Sequence, residues 1–253
     1  MQSVLSQDFP GIEYVIVDGG STDGTLDILR AHQDRIGLWV SAADGGISDA
    51  FNKGIALSRG DIIGLLNSDD WYEPGAVRAV VAEMQRTGAD IACGRLQHWD
   101  GDRRTYQASS DPAQLARGMT VGHPTVFVRH ASYRRFGPFR LDFRLAMDYE
   151  WLLRAKLAGA SFVVVDRCLA HMQGGGVGDK RWRNSQREVA GARALHVRGA
   201  DNALAYNVFI ARRIVVGYVR RLLDACGLGV LRRAYHRWLA PVKVTANRDD
   251  GAR

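Results

Sequence analysis

Cysteine is scarce: three residues in 253, Cys93, Cys168 and Cys226, far apart and with no CxxC pair. That argues against a zinc site or a disulfide framework and fits a reducing compartment. An uncharged apolar run of bilayer length is also missing. The first residues, Met-Gln-Ser-Val-Leu-Ser-Gln, have neither the basic region nor the long apolar stretch of a signal peptide, so a cytoplasmic location is expected. No internal repeat or low-complexity linker divides the chain.

What is present is ordinary in bulk and uneven in distribution. The apolar share of 46% and charged share of 24% suit a globular protein, long enough for one domain plus an appendage. The net charge of +7 hides an asymmetry. Residues 1–100 carry 7 Lys/Arg against 15 Asp/Glu, while residues 181–245 carry 13 against 3. A basic tail behind an acidic front half suggests an anionic surface as partner. Membrane lipid is favoured over nucleic acid, because no nucleic-acid motif accompanies the charge.

Short β-rich runs alternate with helical spacing through the first two thirds. Residues 13–18, Glu-Tyr-Val-Ile-Val-Asp, read as a buried parallel strand ended by Gly-Gly. Strands are also expected at 38–41, 61–67, 90–96, 125–129 and 161–166. Helices are expected at 25–32, 47–57, from Pro74 to about residue 86, and at 149–157. Repeated βα units imply an α/β fold, a mostly parallel sheet flanked by helices, with ligands at the carboxyl ends of the strands. After about residue 178 the pattern turns wholly helical, at 182–195, 204–223 and 228–239.

Three constellations carry chemistry. Asp18-Gly-Gly-Ser-Thr-Asp-Gly-Thr25 stands where a strand gives way to a helix. Its glycines let backbone approach a ligand, and an acid at a strand end can accept from a base or ribose. The same residues also suit a tight turn capped by Ser21, Thr22 or Asp23. Asn67-Ser-Asp-Asp70 closes a strand with two adjacent carboxylates, which repel unless a cation or strong donors intervene. A hard divalent ion bridging a diphosphate wants one or two such groups, although a solvated Asp-Asp turn is the alternative. Met147-Asp-Tyr-Glu-Trp151 opens a helix, where a carboxylate is stabilised as the anion and suits either a base or a cap. His123, in Gly-His-Pro, and His171 are weaker signals, each also readable as a structural histidine.

Taken together, these segments resemble the family 2 glycosyltransferases, inverting enzymes with the GT-A fold. The resemblance runs through residues 2–7, 13–25, 44–54 and 60–70, with residues 123–129 and 146–151 on the acceptor side, and covers about residues 2–178. It implies residues 1–180 as catalytic domain and 181–253 as a basic helical extension. It implies nucleotide contacts at Asp18, Gly19, Asp44, Lys53, Asn67 and Asp69, and a divalent cation (Mn²⁺ or Mg²⁺) on Asp70. Asp148 matches the catalytic base, and His123, Glu150 and His171 take acceptor-side or secondary roles. The implied partners are a nucleotide-sugar donor, most often a UDP-sugar, and a saccharide or polyprenyl-linked acceptor in cell-surface polysaccharide synthesis.

Two departures stand out. Relatives begin with a β-strand and a Tyr/Phe-Asn turn before the helix that here contains Met1. The expectation is a true start upstream; the alternative is a catalytically silent paralogue acting as a nucleotide- or partner-binding scaffold. Gly19 also stands where many members carry a second Asp. The Gln-x-x-Arg-Trp box and membrane spans of processive synthases are missing, which implies one sugar per encounter. A helix over 204–223, with an apolar stripe beside Arg212, Arg213, Arg220 and Arg221, could lie in a membrane interface or pack on the catalytic core. The expected location is cytoplasmic, with peripheral contact at the inner face of the membrane.

Overall fold

The computed structural model describes residues 1–176 and 181–197, together with positions 206, 208, 211, 215 and 244–245. After a short helix α1 (Gln2–Leu5), β1 (Val15–Asp18), α2 (Thr25–Ala31), β2 (Leu38–Ser41) and α3 (Ile47–Leu57) alternate as the sequence predicts. Next come β3 (Ile62–Gly64), β4 (Trp71–Tyr72), α4 (Ala76–Thr87), β5 (Ile91–Asp100) and β6 (Arg103–Ala108). Then follow β7 (Phe127–Arg129), α5 (His130–Phe136), α6 (Met147–Leu157), β8 (Phe162–Gln173), α7 (Trp182–His196) and β9 (Val244–Thr245).

The fold is α/β with helices flanking a central sheet, but strand directions are more mixed than the βα alternation implies. β1 pairs parallel with β2, and β5 runs parallel to β8 along the longest ladder. The β3–β7, β4–β8, β5–β6, β5–β7 and β6–β9 ladders are antiparallel. The reason lies in the connections. β5 turns into β6 through Gly101-Asp102, with Gly101 at φ +57°, and a two-residue turn can only join antiparallel strands. β7 is entered through a 3₁₀ turn over His123–Thr125, not a crossover helix, so nothing forces it parallel. β8 runs to Gln173, well past the predicted end at residue 166.

Strand alternation divides the core in two. Ile91 and Val128 face one cluster with Ile55, Tyr149, Trp151 and Leu152; Ala92 and Phe127 face the other with Tyr72, Val80, Met84 and Leu169. On α4, Ala76, Val80 and Met84 recur every fourth residue and are fully buried against the sheet. That helix is bounded by Gly75 (φ +72°) and Gly88 (φ +69°), whose left-handed backbone suits glycine. It therefore starts after Pro74 rather than on it.

The first strand differs from its prediction in one respect. Val15, Ile16 and Val17 are only half-buried, because β1 is covered by α3 and bonded to β2 but shares no ladder with the larger sheet among the described residues. The segment after residue 180 also begins inside the fold. α7 packs along α6, and its Val189 and Ala192 join the first core cluster. The predicted helices at 204–223 and 228–239 lie outside the described residues except at single positions. Of these, Tyr206 donates its hydroxyl to the Gln186 carbonyl (2.9 Å), while Val208 and Val215 are exposed. Among the described residues no helix is long and apolar enough to cross a membrane.

Candidate active site

Two loops meet at the ends of β1 and β2. Asp18 is buried, and its carboxylate accepts from the Gly20 and Ser21 amides (3.0 and 2.9 Å) and from the Ser21 and Ser41 hydroxyls (2.5 and 2.6 Å). These donors, led by the two serine hydroxyls, hold its pKa down at about 2. Asp18 is thus a permanent anion that shapes its own loop as well as a group able to meet a ligand. At Gly19 a Cβ would lie 2.8 Å from Asp44 Oδ2, so a side chain there would push the Asp44 carboxylate aside. Asp44 accepts from the Gly46 amide (2.8 Å), and Lys53 is tied to the same loop through Asp49 (2.9 Å) and the Ala43 carbonyl (3.4 Å).

Asp69 and Asp70 differ sharply despite being neighbours. Asp69 and Asn67 are exposed, whereas Asp70 is 5% exposed and has only two long hydrogen bonds, from Asn67 Nδ2 (3.5 Å) and the Gln173 amide (3.3 Å). Burial, with the Asp69 charge second, pushes the Asp70 carboxyl up to about 7. A buried carboxylate this poorly solvated, beside a second carboxylate, fits a divalent cation, which would supply the missing charge.

His171 reaches this corner on β8, paired with Trp71 of β4 and stacked on its ring (centroids 5.1 Å, 4° between planes). Trp99 Nε1–H donates to His171 Nδ1 at 3.0 Å, and His171 Nε2 meets Glu73 Oε2. An indole N–H can only donate, so Nδ1 must accept and the ring proton sits on Nε2, pointing at the Glu73 carboxylate. Glu73, Cys168 and His171 each offer a ligand atom within 4.8 Å of the others, a spacing that could hold an ion. Binding there would displace the Nε2 proton while Trp99 still claims Nδ1, so Asp70 is the better cation ligand. His171 is fixed in orientation by Trp99, Glu73 and the Trp71 ring, as a buried wall of the site. Sequence reading missed Glu73, Trp99, Gln173 and Ser41, which no local motif marks.

Beside the interior of the larger sheet, where β7 lies between β3 and β5, the 3₁₀ turn before β7 brings His123 to Asp148 at the start of α6. The two line a cavity of about 10 Å³ with Leu65, Tyr133, Phe139 and Trp151. Burial lowers the His123 pKa and raises that of Asp148, and each is partly countered by the other's charge. Asp148 also accepts from the Tyr149 amide (2.7 Å), and Phe51 stacks on His123 at 5.4 Å. Burial makes Asp148 a stronger base than an exposed carboxylate, and a positive charge on His123 would favour its ionised form, a pairing suited to accepting a proton. Glu150, predicted beside it, points away: fully buried, it accepts from Arg154 (2.8 and 3.0 Å) and contacts His196 Nε2 of α7 (2.7 Å). Two residues on along a helix is a rotation of about 200°, so Asp148 and Glu150 cannot share a ligand. Glu150 ties helices together instead of meeting an acceptor.

An α/β fold with acidic groups on the loops at one side of its sheet fits a group-transferring enzyme, and comparison with known proteins narrows the class. The model of glycosyl transferase family 2 matches residues 1–147, and the chain belongs to that family. It is 32% identical over 189 residues to an uncharacterized glycosyltransferase of Mycobacterium tuberculosis, covering 72% of this chain and 71% of the relative. It is 28% identical over 159 residues to a PGL/p-HBAD biosynthesis glycosyltransferase of Mycobacterium bovis, covering 61% and 62%. Among solved structures, TarS 1–349 of S. aureus in complex with UDP superposes with a TM-score of 0.63 at 20% identity, over 85% of this chain and 66% of that one. A mannosyltransferase of Pyrobaculum calidifontis in complex with GDP-Man and Mn²⁺ gives 0.61 at 15% identity, over 94% and 77%. These likenesses establish a GT-A fold and a glycosyltransferase.

Proposed function

We propose that this glycosyltransferase moves a sugar from a nucleoside-diphosphate sugar, with UDP-sugar as donor class, to a hydroxyl of a saccharide or lipid-linked acceptor, with inversion. The observation that carries the reading is Asp70: a buried, poorly solvated carboxylate beside Asp69, on the loop between β3 and β4. Asp70 would hold the divalent ion, with Asp69 nearer the ribose, and Asp18, Gly19, Asp44, Lys53 and Asn67 would surround the nucleotide. The ion, when bound, neutralises charge growing on the departing diphosphate. Asp148 takes the proton of the acceptor hydroxyl, and His123 beside it favours the ionised form of that acid. In an in-line displacement the attacking oxygen and the leaving diphosphate lie on opposite faces of the anomeric carbon, so configuration inverts. The UDP in TarS and the GDP-Man and Mn²⁺ in the mannosyltransferase support a nucleotide-sugar donor and a cation, and the mycobacterial relative, named for PGL/p-HBAD biosynthesis, supports a biosynthetic role.

Calorimetry with UDP, GDP and dTDP, with and without Mn²⁺, tests this on the chain and on Asp70→Ala. Metal-dependent binding of one nucleotide, lost in the variant, is expected; binding of none would overturn the reading. A second reading, a scaffold that binds nucleotide without turnover, rests on the half-exposed β1 and the divided sheet. Nucleotide binding without release of product from any donor would favour it. We further propose a cytoplasmic place of action, residues 1–180 as catalytic unit with α7 packed against it, and contact of the basic 181–253 segment, beyond α7, with anionic lipid. Failure of anionic liposomes to retain the protein at low salt would remove the lipid contact.

A further inference from the structure

The turn that delivers Asp148 is not held by its own sequence. α6 begins after Ala146, which has no side chain to cap the helix. The first amides of a helix have no intrahelical partners. Here three consecutive amides of the turn that leads into α6, at the cap residue and the two before it, are satisfied by one remote atom. Glu188 Oε2, on α7, accepts from Arg144 N (2.9 Å), Leu145 N (2.7 Å) and Ala146 N (2.9 Å). An anion at a helix N-terminus is also favoured by the helix dipole. Eight residues further along α7, His196 grips Glu150. Helix α6 is therefore fastened to α7 on both sides of Asp148 in sequence, by 144–146 before it and by Glu150 after it. Glu188 lies beyond residues 1–147, outside the stretch that matches the family model.

We propose that Glu188 is a positioning residue for the reaction: it fixes the 144–146 turn so that Asp148 is held against His123. The inference rests on the reading of Asp148 as the base. The charged groups acting on Asp148 are His123, from the turn before β7, whose charge favours ionisation, and Glu188 from α7, which opposes it. Burial is the larger influence on the acid and remains when Glu188 is changed.

Two variants separate positioning from mere stability. Glu188→Gln keeps an oxygen acceptor for the three amides and removes the charge. Glu188→Ala removes both. In Glu188→Ala, the amides of Arg144, Leu145 and Ala146 should exchange with solvent faster. Its kcat should fall roughly tenfold to a hundredfold, as expected for a misplaced catalytic group. UDP affinity with Mn²⁺ should stay unchanged, because Asp18 and Asp70 lie on other elements. Glu188→Gln should recover most of kcat while the Asp148 carboxyl, followed by carbon NMR, titrates at lower pH. The acid limb of kcat/KM should move down with it. Full kcat in Glu188→Ala, unchanged exchange of the 144–146 amides in that variant, or loss of UDP binding in step with kcat would each overturn the proposal. A wild-type protein that binds UDP yet never turns over would sink the transfer reading alone, since exchange and NMR still report on the turn.

Discussion

Removing the charge of Asp70 should make the ion-free protein more stable at neutral pH, while destroying its response to metal. The carboxyl lies at 5% exposure and titrates near 7, against an ordinary aspartate value of 3.8. A raised acid pKa means that the folded state holds a proton that the unfolded state has released. Stability therefore falls as pH rises from about 4 to about 7 and is flat above that. A shift of this size corresponds to about 4 kcal/mol as an upper bound, and local relaxation or water entry could halve it. Asp70→Asn removes the ionisation and keeps the shape. In urea unfolding at pH 8 with chelator, the variant should exceed wild type by about 2 kcal/mol, and the gap should close near pH 4. Adding Mn²⁺ at a hundred times its Kd should stabilise wild type by about 2.7 kcal/mol and leave the variant unmoved. Equal stabilities at pH 8, with no response of wild type to Mn²⁺, would refute the argument that this carboxylate is poised for a cation.

Three further outcomes follow from geometry. Gly19→Asp should weaken nucleotide binding and cost under about 1 kcal/mol in urea unfolding, because it would displace the Asp44 carboxylate tip, 2.8 Å from its Cβ, and add a like charge; unchanged nucleotide affinity would mean that Asp44 swings aside without loss. Asp18→Asn should lose about 1–3 kcal/mol at pH 7, since the four donors around it were set for an anion. Because the folded pKa of Asp18 is depressed, its contribution is present above about pH 4 and lost as pH falls towards 2, so the variant and wild type should converge in acid. Glu150→Gln should lower stability by about 3–5 kcal/mol by leaving Arg154 and His196 without their buried anion, with UDP affinity retained in whatever fraction stays folded.

Local sequence determined the elements whose signals are short-range. The bounds of β2 and α3 follow from hydrophobic spacing alone, and the Asp18 and Asp69–Asp70 turns are announced by glycine and paired acids at strand ends. The order of these motifs was enough to place the chain among the glycosyltransferases. Contacts between distant residues could not be read this way. Nothing at positions 69 and 70 says which carboxylate faces solvent; burial beneath β8, with the Gln173 amide alongside, makes Asp70 the perturbed one. Asp148 and Glu150 look equivalent in a string of letters, yet helix rotation sends one to His123 and the other to Arg154 and His196. The mixed strand directions and the capture of three amides by Glu188 likewise depend on partners from about ten to over seventy residues away. Sequence thus determined which chemical groups the protein has and where they lie on its strands and helices. Tertiary structure decided their charge, their tautomer and their company, because desolvation and hydrogen bonding are set by what packs against a group and not by its chain neighbours.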